Sequence, residues 1–159
     1  MADLRAIAAG LGYADVATYI QSGNLVLSST EDVERVAGAL EAAIAASTSV
    51  QPAVVVRTRS QLATVVRDNP FLARGEDEGH LHVLFTAGDA GDGSAHLDLP
   101  SYAPEEAIDV GADLYLLLPN GVGRSRLAAD VARQKGPVGT TRNWRTVTTL
   151  LSMADEAAG

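Results

Sequence analysis

The residues best suited to binding chemistry lie late in the chain, where two glycines precede two arginines. The stretch GVGRSRL, residues 121–127, follows the apolar run LYLLLP, and this order predicts a strand, a short loop and a helix beginning near Ser125. Glycines let the backbone approach a ligand closely, and the unpaired N–H groups and dipole of a helix start favour an anion. The candidate ligand-binding residues of this loop are Gly121, Gly123, Arg124, Ser125 and Arg126.

The loop does not match the common nucleotide-binding motifs. A Walker motif would need a lysine and a different glycine spacing, and a dinucleotide fingerprint would need its third glycine at Arg126. A second interpretation requires no ligand: Gly123 forms a tight turn, Ser125 caps the helix, and the arginines are solvated. The sequence leaves both interpretations open.

A second group of donors lies in the stretch GTTRNWR, residues 139–145. Thr141, Arg142 and Asn143 place hydroxyl, guanidinium and amide groups just before the last helix, and Trp144 begins its apolar face. If this segment lies beside the 121–126 loop, both motifs converge on one pocket. Alternatively, Thr141 or Asn143 is a helix cap and Trp144 is a core anchor.

No catalytic set can be assembled from the remaining polar residues. Ser22 and Asn24 lie in QSGN, which is typical of a turn, and a nucleophilic serine would need a histidine. His80 and His82 alternate along a strand and so face opposite sides. The absence of cysteine excludes thiolate metal sites, and Glu105 and Glu106 resemble a solvated acidic run. We therefore expect no metal and no cofactor, and the sequence leaves open whether the protein is an enzyme.

Charge is unevenly distributed along the chain. The formal net charge is -8, yet residues 119–152 contain six basic residues and one acidic residue. A basic island in an acidic protein favours a small anion over a polyanion such as nucleic acid. An RNA-stacking surface is also disfavoured, because Phe85 and Tyr115 are the sole aromatic residues of their predicted strands. No segment resembles a membrane span or a signal peptide, so we expect a cytoplasmic protein.

The elements that must position these residues fall into two halves. Hydrophobic periodicity predicts a helix over 3–12, a hairpin with strands at 16–20 and 25–28, and a helix capped by Ser29 or Thr30. A strand near 52–58 and a short helix from Ser60 complete the first half. The second half is predicted to contain strands at 81–87, 106–110 and 113–118, a helix over 125–134, an extended piece at 138–143 and a helix over 143–155.

This order predicts an α+β fold built of two tandem ferredoxin-like βαββαβ plaits, the first of which lacks its opening strand. The polar run ARGEDEGH predicts the domain boundary, giving domains over 1–78 and 79–159, the second with an extra C-terminal helix.

Several motifs together resemble the bacterial domain-of-unknown-function family 1697. The resemblance spans the whole chain and is carried by TYIQSGN, RT, NPF, GVGRSRL and GTTRNWRTV in that order. It implies two ferredoxin-like halves and no known reaction. Family members usually begin with a strand and an RGIN-type loop, so the resemblance also implies a late start site or a shortened gene model here.

Three functions follow as expectations. The first is binding of a phosphate-bearing or other anionic small ligand at 121–126, with 141–143 beside it. The second is a nucleic-acid-binding accessory role through the same arginines. The third is a homodimer formed through exposed sheet edges, in which the motifs are only caps and turns.

Overall fold

The structure is a computed structural model that describes residues 2–20, 23–49, 51–87, 94–133 and 139–158. The six helices of this part are α1 (Ala2–Gly10), α2 (Val33–Ser47), α3 (Arg59–Arg67), α4 (Pro70–Ala73), α5 (Arg126–Arg133) and α6 (Trp144–Ala158). The six strands are β1 (Ala14–Tyr19), β2 (Asn24–Ser28), β3 (Leu81–Thr86), β4 (Glu106–Val110), β5 (Asp113–Leu117) and β6 (Gly139–Asn143). With two antiparallel sheets and these helices, the fold is α+β, as predicted.

The chain divides into two compact units. Unit 1 comprises residues 1–64 and 148–159, and unit 2 comprises residues 65–147. The sequence placed a boundary between residues 78 and 79, a position that lies inside unit 2. That domain division stays a prediction.

Unit 1 contains a two-stranded sheet and a small core. β1 and β2 pair as an antiparallel hairpin, in which the buried Asn24 amide donates to the Tyr19 carbonyl at 3.1 Å. QSGN thus contains turn chemistry, as expected, although Gln21 and Ser22 lie outside the described residues. The buried apolar residues here are Ala8, Val36 and Leu40, on α1 and α2. The cap of α2 is Asp32, whose carboxylate accepts from the Arg35 N–H at 2.9 Å, and not Ser29 or Thr30.

The predicted strand at 52–58 is not formed as a paired strand. Residues 51–58 run without helix, turn or bend, and no strand ladder within the described part of the chain includes them. The prediction failed because β-branched residues favour an extended backbone, whereas a strand also needs a neighbour to accept and donate its hydrogen bonds. The segment ends at Thr58, which exchanges hydrogen bonds with Gln61 in a capping box at the start of α3.

Unit 2 contains a four-stranded antiparallel sheet in the order β4-β5-β3-β6. The register pairs Ala107 with Leu116, and Leu116 with His82, which pairs with Asn143. Residues directly opposite one another share a face of the sheet. One face therefore carries Leu84, Leu114 and Leu116, which pack with Leu127 and Val131 of α5. The other face carries Val83 and Tyr115, whose hydroxyl donates to the Val65 carbonyl of α3 at 2.8 Å.

Candidate functional site

The 119–125 loop leaves the sheet of unit 2 beside the first residues of β3. The Leu118 N–H donates to the His80 carbonyl at 2.7 Å, which fixes the start of the loop. Gly121 has a φ of 85°, a conformation that strongly favours glycine, and a 3-10 turn over Val122–Arg124 follows. Helix α5 then begins at Arg126, one residue later than expected. The predicted strand, loop and helix are therefore present in that order.

Two of the first N–H groups of α5, those of Leu127 and Ala128, are already bonded within the chain. The Ser125 hydroxyl oxygen accepts from the Ala128 N–H at 2.8 Å, and the Glu105 carboxylate accepts from the Leu127 N–H at 3.2 Å. Both Ser125 and Glu105 are buried. The Glu105 carboxylate thus lies at the positive end of the helix dipole of α5. Ser125 is the helix cap that the second interpretation of the sequence predicted.

Glu105 is a residue whose role the sequence interpretation missed. It was expected to lie in a solvated acidic run with Glu106, but the residue is only 9 % exposed and its second carboxylate oxygen has no hydrogen-bond partner among the described residues. Glu106 does lie at the surface, where it forms an ion pair with Arg74 at 2.7 Å. That ion pair lowers the pKa of the Glu106 carboxyl. The alternation of side chains along β4 could have predicted this burial, because Glu105 lies two residues before the buried Ala107 and therefore on the same face.

The two arginines of the loop have different environments. Arg126 donates to the Ser101 carbonyl at 2.7 Å, and its guanidinium lies 4.5 Å from the centre of the Tyr102 ring. Arg126 therefore fastens the 3-10 turn Leu99–Tyr102 to the start of α5. Arg124 is exposed, and its side chain forms no hydrogen bond or ion pair with the rest of the described chain. Of the two, Arg124 has its guanidinium fully available for an external anion.

The 140–143 motif lies on edge strand β6 and is divided between the two faces of the sheet. Thr141 pairs with Leu84 and Asn143 with His82, so both are on the face that packs with α5. Arg142 pairs with Val83 and therefore lies on the opposite face, where it donates to the Thr140 hydroxyl and to the Thr141 carbonyl. Partial burial lowers the pKa of the Arg142 guanidinium. The Arg142 side chain thus lies on the opposite face of the sheet from the side chains of Thr141 and Asn143.

Asn143 is the member of this motif at the same end of the sheet as the 119–125 loop. It pairs with His82, near the start of β3, whereas the loop starts where Leu118 bonds to His80. The Asn143 amide oxygen accepts from the Thr146 N–H at 2.8 Å and caps α6. Trp144 is 2 % exposed, which makes it the core anchor of that helix.

His82 lies on the α5 face of the same end. It is 8 % exposed, and its Nδ1 has no hydrogen-bond partner among the described residues. Burial lowers the pKa of the imidazole, and a hydrogen bond to the His80 backbone opposes that shift. Within the described ranges no group of three or more His, Asp or Glu side chains could hold a metal ion.

These features define an α+β protein with a basic loop at one end of an antiparallel sheet. The family described as Protein of unknown function (DUF1697) matches residues 1–115, and the chain belongs to that family. The family assignment predicted from the sequence motifs is thereby confirmed.

A solved structure supports the fold. The conserved bacterial protein SP0830 from Streptococcus pneumoniae is similar with a TM-score of 0.74 and 18 % identity, over 97 % of this chain and 88 % of that one. No curated protein matches the chain. No helix in the described part of the chain has the length and apolar character needed to cross a membrane.

Proposed function

We propose that the protein binds a small anion of the phosphate or carboxylate class at the outer side of the 121–126 loop. The observation that carries the proposal is the exposed Arg124 side chain, on the last residue of the short 3-10 turn Val122–Arg124. The N–H groups of Val122 and Gly123 open this turn, where the first donors of a helix lack acceptors within it. A bidentate arginine and two backbone donors suit a tetrahedral or planar oxyanion.

The proposed site is smaller than the set of residues selected from the sequence. Gly121 and Gly123 shape the turn, Arg124 binds the anion, and Ser125 and Arg126 hold the loop in place. Asn143 is proposed as a flanking donor because it lies on the α5 face at the same end of the sheet as the loop, whereas Thr141 lies on that face but further along β6. Arg142 lies on the opposite face of the sheet and is left out of this site.

The strand order of unit 2 supports the finer description of the fold. In a βαββαβ plait the first strand lies between the third and the fourth, and β3 lies between β5 and β6. We therefore propose that unit 2 is a ferredoxin-like plait and that unit 1 is a partial one. The proposed location of the protein is the cytoplasm, where phosphorylated metabolites are abundant.

A thermal-shift titration with inorganic phosphate and nucleotides at low salt tests the function. Binding to the folded state raises stability by about 2.7 kcal/mol at a ligand concentration of 100 times Kd. We expect Arg124→Ala to abolish the shift. Arg133→Ala is the matched control, because Arg133 is an exposed arginine of the adjacent helix that pairs with Asp130.

Three outcomes would contradict the proposal. The first is the absence of a shift with any anion, and the second is an equal loss in both variants, which would indicate bulk charge. The third is salt-sensitive binding of single- or double-stranded oligonucleotides without binding of small anions, which would favour the nucleic-acid alternative.

A further inference from the structure

Three buried side-chain atoms have no hydrogen-bond partner among the described residues, namely Asn69 Nδ2, His82 Nδ1 and Glu105 Oε2. A buried polar atom without a partner destabilises a fold, so each such atom calls for an explanation. Of these three groups, the Glu105 carboxylate also holds the start of α5, because its Oε1 accepts from the Leu127 N–H at 3.2 Å. Its free oxygen therefore lies at the loop-to-helix junction where the anion site is proposed.

The free Glu105 oxygen and the Arg124 guanidinium flank the same junction. Arg124 precedes Leu127 by three residues, so their Cα atoms are at most about 11 Å apart. Arg124 is exposed, whereas Glu105 keeps 9 % of its surface exposed. The last torsion of a glutamate side chain is broad, so a small rotation can turn the free oxygen toward a ligand. An oxyanion lodged at this junction is therefore within reach of both side chains.

A carboxylate in an anion site selects among anions by the protons they carry. An ionised carboxylate has acceptors and no donor, so it bonds to a ligand oxygen only where that oxygen carries hydrogen. Inorganic phosphate retains a P–OH group at neutral pH, whereas sulfate, of the same tetrahedral shape, is fully deprotonated. With phosphate a strong O–H···O⁻ bond forms, and with sulfate two acceptors face each other without a proton between them.

We propose that the site is selective for a proton-bearing phosphate, whose P–OH donates to Glu105 Oε2 while Arg124 holds its charged oxygens. This inference rests on the proposed function and adds the ligand class to it. The P–OH supplies the donor that Oε2 lacks among the described residues. The positive charge of Arg124 and the positive end of the α5 dipole offset the repulsion between Glu105 and the anion.

Isothermal titration calorimetry with inorganic phosphate and with sulfate, in a buffer free of both, measures the selectivity. Because a hydrogen bond to a charged group changes affinity by about 10- to 100-fold, we expect phosphate to bind about 30-fold more tightly than sulfate. This comparison uses the unaltered protein, so it tests the proposal even if a variant does not fold.

Glu105→Gln reverses the hydrogen-bonding character of the free position. Its amide oxygen still accepts from the Leu127 N–H, and its NH₂ group replaces the free acceptor by a donor. We expect this variant to lose the preference for phosphate and to bind sulfate at least as tightly. Glu106→Gln is the matched control, because it removes the same charge at the neighbouring position, where the side chain pairs with Arg74, and should keep the selectivity.

The proton-bearing phosphate can be free or part of a monoester, and pH distinguishes the two sources. A monoester keeps its proton only below its second pKa of about 6, whereas inorganic phosphate carries a P–OH at pH 5.5 and at pH 8. Methyl phosphate should therefore bind at pH 5.5 and lose affinity at pH 8, although charge attraction to Arg124 alone would give the reverse trend. Absence of methyl phosphate binding at both pH values would assign the site to inorganic phosphate.

Failure of this proposal differs from failure of the proposed function. Equal binding of phosphate and sulfate, lost in Arg124→Ala, would retain the anion site and overturn the role of Glu105. Unchanged selectivity in Glu105→Gln, or methyl phosphate binding that does not weaken at pH 8, would also overturn it. Binding of neither phosphate nor sulfate would overturn both proposals. Support requires a preference for phosphate in the wild type and in Glu106→Gln, and its loss in Glu105→Gln.

Discussion

In unit 2 the strand β3 is hydrogen-bonded on both sides, to β5 and to β6, whereas each described strand of unit 1 pairs with one neighbour. The difference reappears in the cores. Leu81, Val83, Leu114 and Leu116 of unit 2 are fully buried, while Leu25 and Leu27 of unit 1 are half-buried. An apolar strand residue is thus buried completely where its sheet extends on both sides and a helix covers the face. The sequence is comparably apolar in both places. The sheet around a residue therefore decides how far that residue is buried and how much it contributes to the free energy of unfolding.

The largest test of this contrast is a pair of equivalent truncations. We expect Leu114→Ala to lower the free energy of unfolding by about 3 kcal/mol, because it opens a cavity at a site with no exposure. Leu27→Ala should cost about 1 kcal/mol, because the side chain is already partly in water. Urea titrations followed by the fluorescence of the buried Trp144 in unit 2 and by circular dichroism measure both values. Equal losses in the two variants would refute the contrast.

A smaller effect is expected from the carboxylate at the start of α5. Glu105→Ala removes the acceptor of the buried Leu127 N–H and should cost about 2 kcal/mol of unfolding free energy in unit 2. Glu105→Gln retains an acceptor and should cost less than half as much. Glu106→Gln is the control at the neighbouring position, where the surface ion pair with Arg74 contributes little. If Glu105→Ala is no more harmful than the control, Glu105 is not the cap described above.

The smallest expected effect is a change in how steeply the free energy of unfolding of unit 2 depends on pH. Burial lowers the pKa of His82 below its usual 6.5, so the unfolded chain binds more protons than the folded one below that pH. The contribution of the neutral, buried His82 to the free energy of unfolding is complete above pH 6.5. It should decline as the pH falls from 6.5 through the lower pKa of the folded state. His82→Gln should flatten the slope between pH 7 and pH 5, measured by urea titration at each pH. His96→Gln, a substitution of an exposed histidine, serves as the control. An identical slope in the wild type and His82→Gln would contradict the role of burial.

The sequence predicted most elements of the fold because their signals are local. Alternation and periodicity located β4 over Glu106–Val110 as found, and the hairpin β1–β2 and helix α6 to within a few residues. The same local signals failed at residues 51–58, where an extended backbone was correctly indicated but pairing depends on a neighbour that no local pattern describes.

The candidate site was only partly predictable for a related reason. The turn, the helix start and the Ser125 cap follow from residue types next to one another. The face on which Arg142 lies depends on its register with Val83, and the burial of Glu105 depends on contact with Leu127, which is 22 residues away in the chain. Such long-range relations cannot be read from one sequence without the pairing of the strands.

The central position of β3 has a consequence for the order in which the protein forms during synthesis. The hairpin β1–β2 joins strands adjacent in the chain, so it can close as soon as Ser28 has left the ribosome. β3 must wait for β5 on one side and then for β6, whose last residue is Asn143, on the other. Until β6 has been synthesised, the backbone of β3 is exposed to solvent along one edge. The four-stranded sheet of unit 2 is therefore completed late in the synthesis of the chain.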